Sequence, residues 1–353
     1  MHIFGFLIFL SIFLGVSLGG SFYVLSRLLA MWNLKWNVGW WLFLIAASTG
    51  YVVFSILDRT LPSFLSRLLL KGAALWLGFG FLCLLPLLIH DLSRWVLKFP
   101  TTHSRWIVCG LLVVLTAYSI INAFRLRIKT LTVKAPVELK LVHITDLHFG
   151  SVSSRHLKRV IDRTNELEPD LVLFTGDLID PHSAVTARSL AMLHELKAPA
   201  YWTVGNHERY ADLDTVMELL RSTPLIPLRN EVRETQGIQL VGIDDSEDRL
   251  YVEKTLAQMK LNPDLFTVLM YHRPEGLEAA GAAGVDLMLS GHTHRGQIFP
   301  LGRLVKMRFK HLYGLYEANG CTLYVSCGAG TWGPLMRLGS RNEIPLIRLE
   351  ESP

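Results

Sequence analysis

The sequence predicts an all-α membrane region of about four helices followed by an α/β domain, and three observations predict it. First, half of the 353 residues are hydrophobic and the mean hydropathy is positive; charged residues are sparse before about Arg125 and ordinary after it. Second, charge divides the same way. Residues 1–130 hold 11 Lys+Arg against 2 Asp+Glu, leaving 24 and 28 of the chain's 35 and 30 for residues 131–353. Third, short β-rich runs alternating with helical patterns begin only beyond Arg125. The expected domains are therefore a transmembrane region over 1–130 and a second domain over 131–353.

Four apolar stretches have spanning length, at 3–25, 39–57, 72–89 and 106–124. Trp36, Trp40 and Trp41 stand at the entry to the second, as an aromatic belt does. Asp58, Arg59, Asp91, Arg94 and Arg105 fall between stretches. No Lys or Arg precedes the first, and others follow it, so it reads as a span rather than a cleavable signal peptide. With the N-terminus inside, the inner segments carry Arg59, Arg67, Lys71, Arg125, Arg127, Lys129, Lys134 and Lys140. The outer loops carry Arg27, Lys35, Arg94, Lys98 and Arg105. That excess predicts a multi-pass inner-membrane protein whose second domain is cytoplasmic. The pI near 9.0 belongs to the membrane part, so no nucleic-acid partner is expected. The basic cluster Arg125–Lys129 reads as an anchor against anionic headgroups. The four cysteines suggest no disulfide framework: Cys321 and Cys327, extended, would sit roughly 20 Å apart.

In the second domain the spacing predicts strands over 139–145, 170–175, 200–204, 238–243, 265–271, 285–290 and 322–326, with helices over 155–167, 187–196 and 212–220. Five of the strand ends lead straight into metal-binding side chains: Asp146-Leu-His148, Gly176-Asp177, Gly205-Asn206-His207-Glu208, His272, and Gly291-His292-Thr-His294. Ligands in α/β folds bind at the carboxyl ends of strands, so the five ends describe one cluster. Carboxylate, imidazole and amide oxygen together suit Mn, Fe or Zn. The ligands are too many for one ion, so two divalent ions are expected. Gly176, Gly205 and Gly291 would let the backbone turn beside them.

Taken in order, Asp-x-His, Gly-Asp, Gly-Asn-His-Glu, a lone His and Gly-His-x-His resemble the calcineurin-like metallophosphoesterases over about residues 138–350. The run 291–300 and the tail 330–339 look like the branch often fused to membrane helices. The resemblance implies a four-layer αββα sandwich. It also implies that Asp146, His148 and His294 hold one metal, that Asn206, His272 and His292 hold the other, and that Asp177 bridges them. His207 would face the substrate, stabilise phosphoryl charge and protonate the leaving oxygen, and Asp180 would orient it. The Arg that follows this carboxylate in the protein-phosphatase branch is Pro181 here, which argues against protein phosphatase activity.

His143 reads as structural; His156, His182, His194 and His311 read as surface residues. Glu208 is either a ligand-orienting partner or a solvated acid of a first helical turn. Asp244 and Asp245 either orient a ligand or make a turn. Arg295, Trp332 and Arg337 are expected to rim the site. The expected function is hydrolysis of a phosphate ester or anhydride by a metal-bridging hydroxide, on a lipid-linked or nucleotide-lipid substrate. The alternatives are a phosphodiesterase on soluble substrates merely tethered to the membrane, and a non-catalytic membrane scaffold.

Overall fold

A computed structural model describes residues 3–97, 101–180 and 185–351; Lys98, Pro181 and His182 lie outside the described residues. The chain folds as two units, one of Met1–Ile121 with Gly333–Leu338 and one of Asn122–Trp332 with Gly339–Pro353.

The first unit holds α1 (Ile3–Met31), α2 (Val38–Thr60), α3 (Phe64–Leu97) and α4 (Thr101–Ala123). All four are long and apolar enough to cross a membrane. They outrun the apolar stretches because polar residues carry the helices onward from their caps. The Asn37 side chain accepts from the Trp40 N–H at 3.1 Å and opens α2. Ser63 and Ser66 exchange side-chain and backbone bonds at 2.9 Å to open α3 well before residue 72. Apolar side chains of α1, α3 and α4, Val24, Cys83, Leu87 and Leu112 among them, form the packed interior. Large apolar residues such as Ile12, Val16, Ile45 and Val113 face outward. Helices hydrophobic all round suit a lipid environment.

The second unit is a pair of six-stranded sheets. Its strands are β1 (Leu126–Lys134), β2 (Leu139–Ile144), β3 (Leu171–Thr175), β4 (Ala200–Thr203), β5 (Leu225–Pro227), β6 (Glu231–Thr235), β7 (Ile238–Ile243), β8 (Phe266–Tyr271), β9 (Leu287–Ser290), β10 (Gly314–Ala318), β11 (Cys321–Val325) and β12 (Asn342–Glu350). One sheet runs β1-β12-β2-β3-β4-β5 and the other β10-β11-β9-β8-β7-β6. Strands β2 to β5 pair parallel, as do β7, β8, β9 and β11. Leu141, Leu173, Tyr201, Leu240, Val268, Met270, Leu289 and Tyr324, from both sheets, share one core between them. Helices cover the outer faces. The helices of this unit are α5 (Ser154–Glu166), α6 (Ala187–Leu190), α7 (Asn206–Tyr210), α8 (Leu213–Leu220), α9 (Tyr251–Leu256), α10 (Leu277–Ala282) and α11 (Leu301–Arg308). Helix α5 buries Leu157, Val160 and Ile161; α9 and α10 bury Val252, Leu256 and Leu277 against Leu269 and Met288. The αββα order is the expected one.

Two readings change here. Arg127 and Lys129 of the basic cluster lie in β1 and are engaged within the second unit. Glu343, buried on the neighbouring β12, needs a countercharge. Arg127 supplies it at 3.0 Å, Tyr324 and Tyr313 donate to the same carboxylate at 2.7 and 3.1 Å, and Lys129 stands over both tyrosine rings. His156 and His311 are buried rather than on the surface. His156 bonds the Ala329 carbonyl at 2.7 Å and His311 the Pro274 carbonyl at 3.3 Å, so each ring ties a loop to the domain. His194 is exposed. His143 is buried against the Thr175 hydroxyl at 2.7 Å, and burial lowers its pKa to about 3, keeping it neutral.

Candidate metal centre

Parallel pairing brings the carboxyl ends of neighbouring strands to one edge of each sheet. Asp146 and His148 follow β2, Asp177 follows β3, and Asn206 opens α7 just beyond β4. His272 follows β8, and His292 and His294 follow β9. Both sheets therefore feed one cluster. Ligand atoms of Asp146, His148 and His294 lie within 4.8 Å of one another, as do those of Asp177, His272 and His292, and those of His148, Asp177 and His207.

The backbone is bent to achieve this. Asp146, His148, Asp177, His292 and His294 all have φ between 48° and 69°, a region non-glycine residues rarely enter. Five such residues in one site mark strain held in place by the surrounding fold. Close approach explains two of the glycines. A Cβ on Gly291 would stand 2.0 Å from Asp146 Oδ2, and one on Gly205 would stand 2.3 Å from Asp177 Oδ1. Neither position has room for any side chain.

The hydrogen bonds assign the imidazoles. His272 Nδ1 faces the Thr175 carbonyl at 2.9 Å, which only accepts, so Nδ1 carries the proton. The lone pair of Nε2 then meets Asn206 Oδ1, His292 Nδ1 and Asp177 Oδ2, each at 3.1 Å. His148 repeats the pattern. Its Nδ1 donates to Asp180 Oδ1 at 2.8 Å, and its Nε2 faces His294 Nε2 at 2.9 Å, with Asp146 Oδ1 3.3 Å from the latter. A proton on His272 Nε2 points one way and serves one acceptor; a cation serves all three. The donor set fits divalent metals with mixed N and O preference.

The electrostatics agree. Burial alone would lower the pKa of His272, yet the carboxylates of Asp177 and Asp146 override it and push the value up to about 10. A field that holds an extra proton so firmly is one that a cation answers. Burial also opposes the charge of Asp177, but the His272 and His207 imidazoles hold its carboxyl well below the ordinary range. Burial pushes the Asp146 carboxyl up and the His292 imidazole down.

His207 and Asp180 complete the constellation. Asp180 Oδ1 takes His207 Nδ1 at 2.7 Å as well as His148 Nδ1, and Oδ2 accepts from Ser151. One carboxylate therefore fixes two rings. His207 Nε2 lies 3.9 Å from Asp177 Oδ2, and its ring meets Trp332 edge-on at 6.1 Å. Burial lowers the pKa of His207, but Asp177 and Asp180 raise it to about 9.

Glu208 is an orienting residue, fully buried. Oε2 accepts the N–H groups of Asp177 and Gly205 at 2.9 and 2.8 Å, and Oε1 those of Leu178 and Ile179 at 2.7 and 3.0 Å. Asp244 and Asp245 are clamps. Arg229 grips Asp244 at 2.7 Å, and Arg273, next to His272, forms a buried fork with Asp245 at 2.7 and 3.1 Å. Trp332 is half exposed. Arg295 is spent over the Tyr313 ring at 4.7 Å. Arg337, expected at an exposed rim, is instead fully buried and belongs to the first unit, its backbone N–H on the Ser119 carbonyl. Arg273 and Glu343 escaped the sequence reading. The only local signal was an Arg directly after a candidate ligand histidine.

Residues 139–296 match the profile of the calcineurin-like phosphoesterases. An uncharacterized metallophosphoesterase of Helicobacter pylori is 30% identical over 351 residues, covering 93% of this chain and 94% of that one. The chain belongs to the calcineurin-like metallophosphoesterases. An uncharacterized metallophosphoesterase of Aquifex aeolicus is 31% identical over 67% of this chain and 97% of that one. A transmembrane protein with metallophosphoesterase domain from Danio rerio is 34% identical over 68% of this chain and 61% of that one. As a metallophosphoesterase, the protein is a metal-dependent phosphoesterase with candidate metal-binding His and Asp groups, joined to four apolar helices.

Proposed function

We propose that the protein hydrolyses a phosphate ester or anhydride with two divalent ions, on a lipid-linked or nucleotide-lipid phosphate at a membrane surface. The supporting observation is the convergence of acceptor atoms around His272 Nε2 and His148 Nε2. In this reading Asp146, His148 and His294 hold one ion, Asn206, His272 and His292 hold the second, and Asp177 serves both. Bound there, Mn, Fe or Zn ions would polarise the phosphate and acidify the attacking water. His207 stays off the ions. Its Nδ1–H is committed to Asp180, which leaves Nε2 to carry the proton that neutralises phosphoryl charge and passes to the leaving oxygen. Asp180 holds this ring and His148 in register, so substrate contact and metal binding share one carboxylate.

The helices bear on substrate through location: a multi-pass chain keeps the site beside the bilayer, with the catalytic domain on the cytoplasmic side of an inner membrane. The test is a substrate screen on the full-length protein in detergent. Lipid phosphates should be turned over in preference to a water-soluble phosphodiester, and chelation should abolish turnover of both. Preference for the soluble ester would sink the lipid assignment and leave the metal chemistry standing. The His207→Ala variant should lose about 10²–10⁴ in kcat, the range of a general acid, while metal content measured by mass spectrometry stays at the wild-type level. A fall in metal content would instead make His207 a ligand.

A further inference from the structure

The helical unit contains a second polar site, remote from the metal centre in sequence. Where α1 and α3 end and α4 begins, a 420 Å³ cavity is lined by Arg27, Asn33, His90, Asp91, Arg94 and Arg105. Three guanidinium groups face one carboxylate, and guanidinium is charged at every working pH. Asp91 answers only the first of them: Arg27 Nε lies 2.6 Å from Asp91 Oδ2, where Tyr23 also donates at 2.8 Å. Neither Arg94 nor Arg105 has an ion pair among the described residues. Two atoms at the cavity are buried and lack a hydrogen-bond partner among the described residues, His90 Nδ1 and Arg105 Nε. His90 is 8% exposed; its Nε2 is engaged with Ser104 at 3.0 Å, and Asp91 Oδ1 stands 3.7 Å from its Nδ1, beyond hydrogen-bond distance, so that nitrogen can still take a ligand. Buried polar groups are normally satisfied, and these two atoms beside an excess of two positive charges describe a site suited to an anion.

The surroundings identify the anion's carrier. Arg105 sits over the rings of Trp32 and Trp106 at 5.2 and 5.7 Å, and the two rings meet edge-on at 4.8 Å. Trp95, next to Arg94, is 81% exposed. Tryptophans gathered at helix ends mark the depth of lipid headgroups, and guanidinium forks suit phosphate. A soluble anion would need no aromatic collar. We propose that this cavity binds the phosphate of a membrane phospholipid, held by Arg94 and Arg105 with His90 beneath. Its leaflet is the one at the start of α4, the opposite end of that helix from the link to β1. This goes beyond the phosphoesterase reading and rests on the membrane reading. Failure of the latter would show separately, as protein that stays folded and monodisperse without detergent.

The test is native mass spectrometry of the full-length protein in micelles, with dioleoylphosphatidylglycerol as the probe. Wild type should retain one lipid. The pair Arg94→Gln with Arg105→Gln should weaken retention at least about tenfold, since one charge-assisted hydrogen bond is worth ~1.5 kcal/mol or more. The Asp91→Asn variant should strengthen it, an effect that a damaged fold does not produce. Dioleoylglycerol, which lacks the phosphate, should not be retained. Equal retention by the double variant, equal retention of dioleoylglycerol, or displacement of the lipid by millimolar glycerol phosphate would each overturn the assignment.

Discussion

The Asp177→Asn variant should fold, lose most of its bound metal and lose turnover by about 10³-fold or more. The geometry sets both halves of that expectation. Asp177 Oδ2 lies 3.1 Å from His272 Nε2, 3.8 Å from His148 Nε2 and 3.9 Å from His207 Nε2. It is thus the carboxylate common to two of the three groups of candidate ligand atoms, one of which includes the ring proposed to meet the substrate. Asp177 Oδ1 meanwhile accepts the His207 N–H at 2.9 Å. Asparagine keeps the size and that acceptor, so the loop should hold its shape. What it removes is the negative charge proposed to draw two cations together. The electrostatic contribution of such ions is several kcal/mol, and each 1.36 kcal/mol is tenfold in rate. Metal content, melting temperature and turnover measured on the same preparation separate the outcomes. Turnover within tenfold of wild type with metal retained would remove Asp177 from the centre of the mechanism.

The sequence displayed the cluster because strand ends are local signals. A β-rich run followed at once by Asp, His or Asn is visible in ten residues, and β2, β3, β4, β8 and β9 all carry it. The fold's edges were not legible in the same way. Strands β1, β5, β6, β10 and β12 sit at or near sheet margins, are half exposed or hold charged residues, and give no long apolar run. β12 is instructive. Its Glu343 and Pro345 break the apolar pattern, yet Glu343 is the buried hub that Arg127 and Tyr324 serve across 216 and 19 residues of sequence. Pairings over such distances leave no local trace. The left-handed φ of Asp146, His148 and Asp177 is equally silent: non-glycine residues adopt it only when the surrounding packing compels them.

Glu208 illustrates how a residue with two open readings acquires one role from geometry, and it carries the second large expectation. Its two oxygens accept four backbone N–H groups, from Asp177, Leu178 and Ile179 after β3 and from Gly205 after β4. It therefore fastens the loop bearing Asp177 to the loop bearing Asn206. Burial and the charge of Asp177 push its pKa up to about 7, while the Ile179 and Gly205 N–H groups pull it back. Glutamine is no conservative change here. Its NH2 would replace one oxygen and aim donors at two N–H donors that have no other acceptor. A buried donor left unmade costs about 1–3 kcal/mol, so Glu208→Gln should destabilise the protein by about 2–5 kcal/mol. Activity should fall with it, because Asp177 and Asn206 lose their common register. A solvated acid predicts the reverse, a change within about 0.5 kcal/mol. Denaturant unfolding of the full-length variant in micelles, alongside metal analysis, decides between them: an unchanged midpoint with full metal content would return Glu208 to an ordinary first-turn acid.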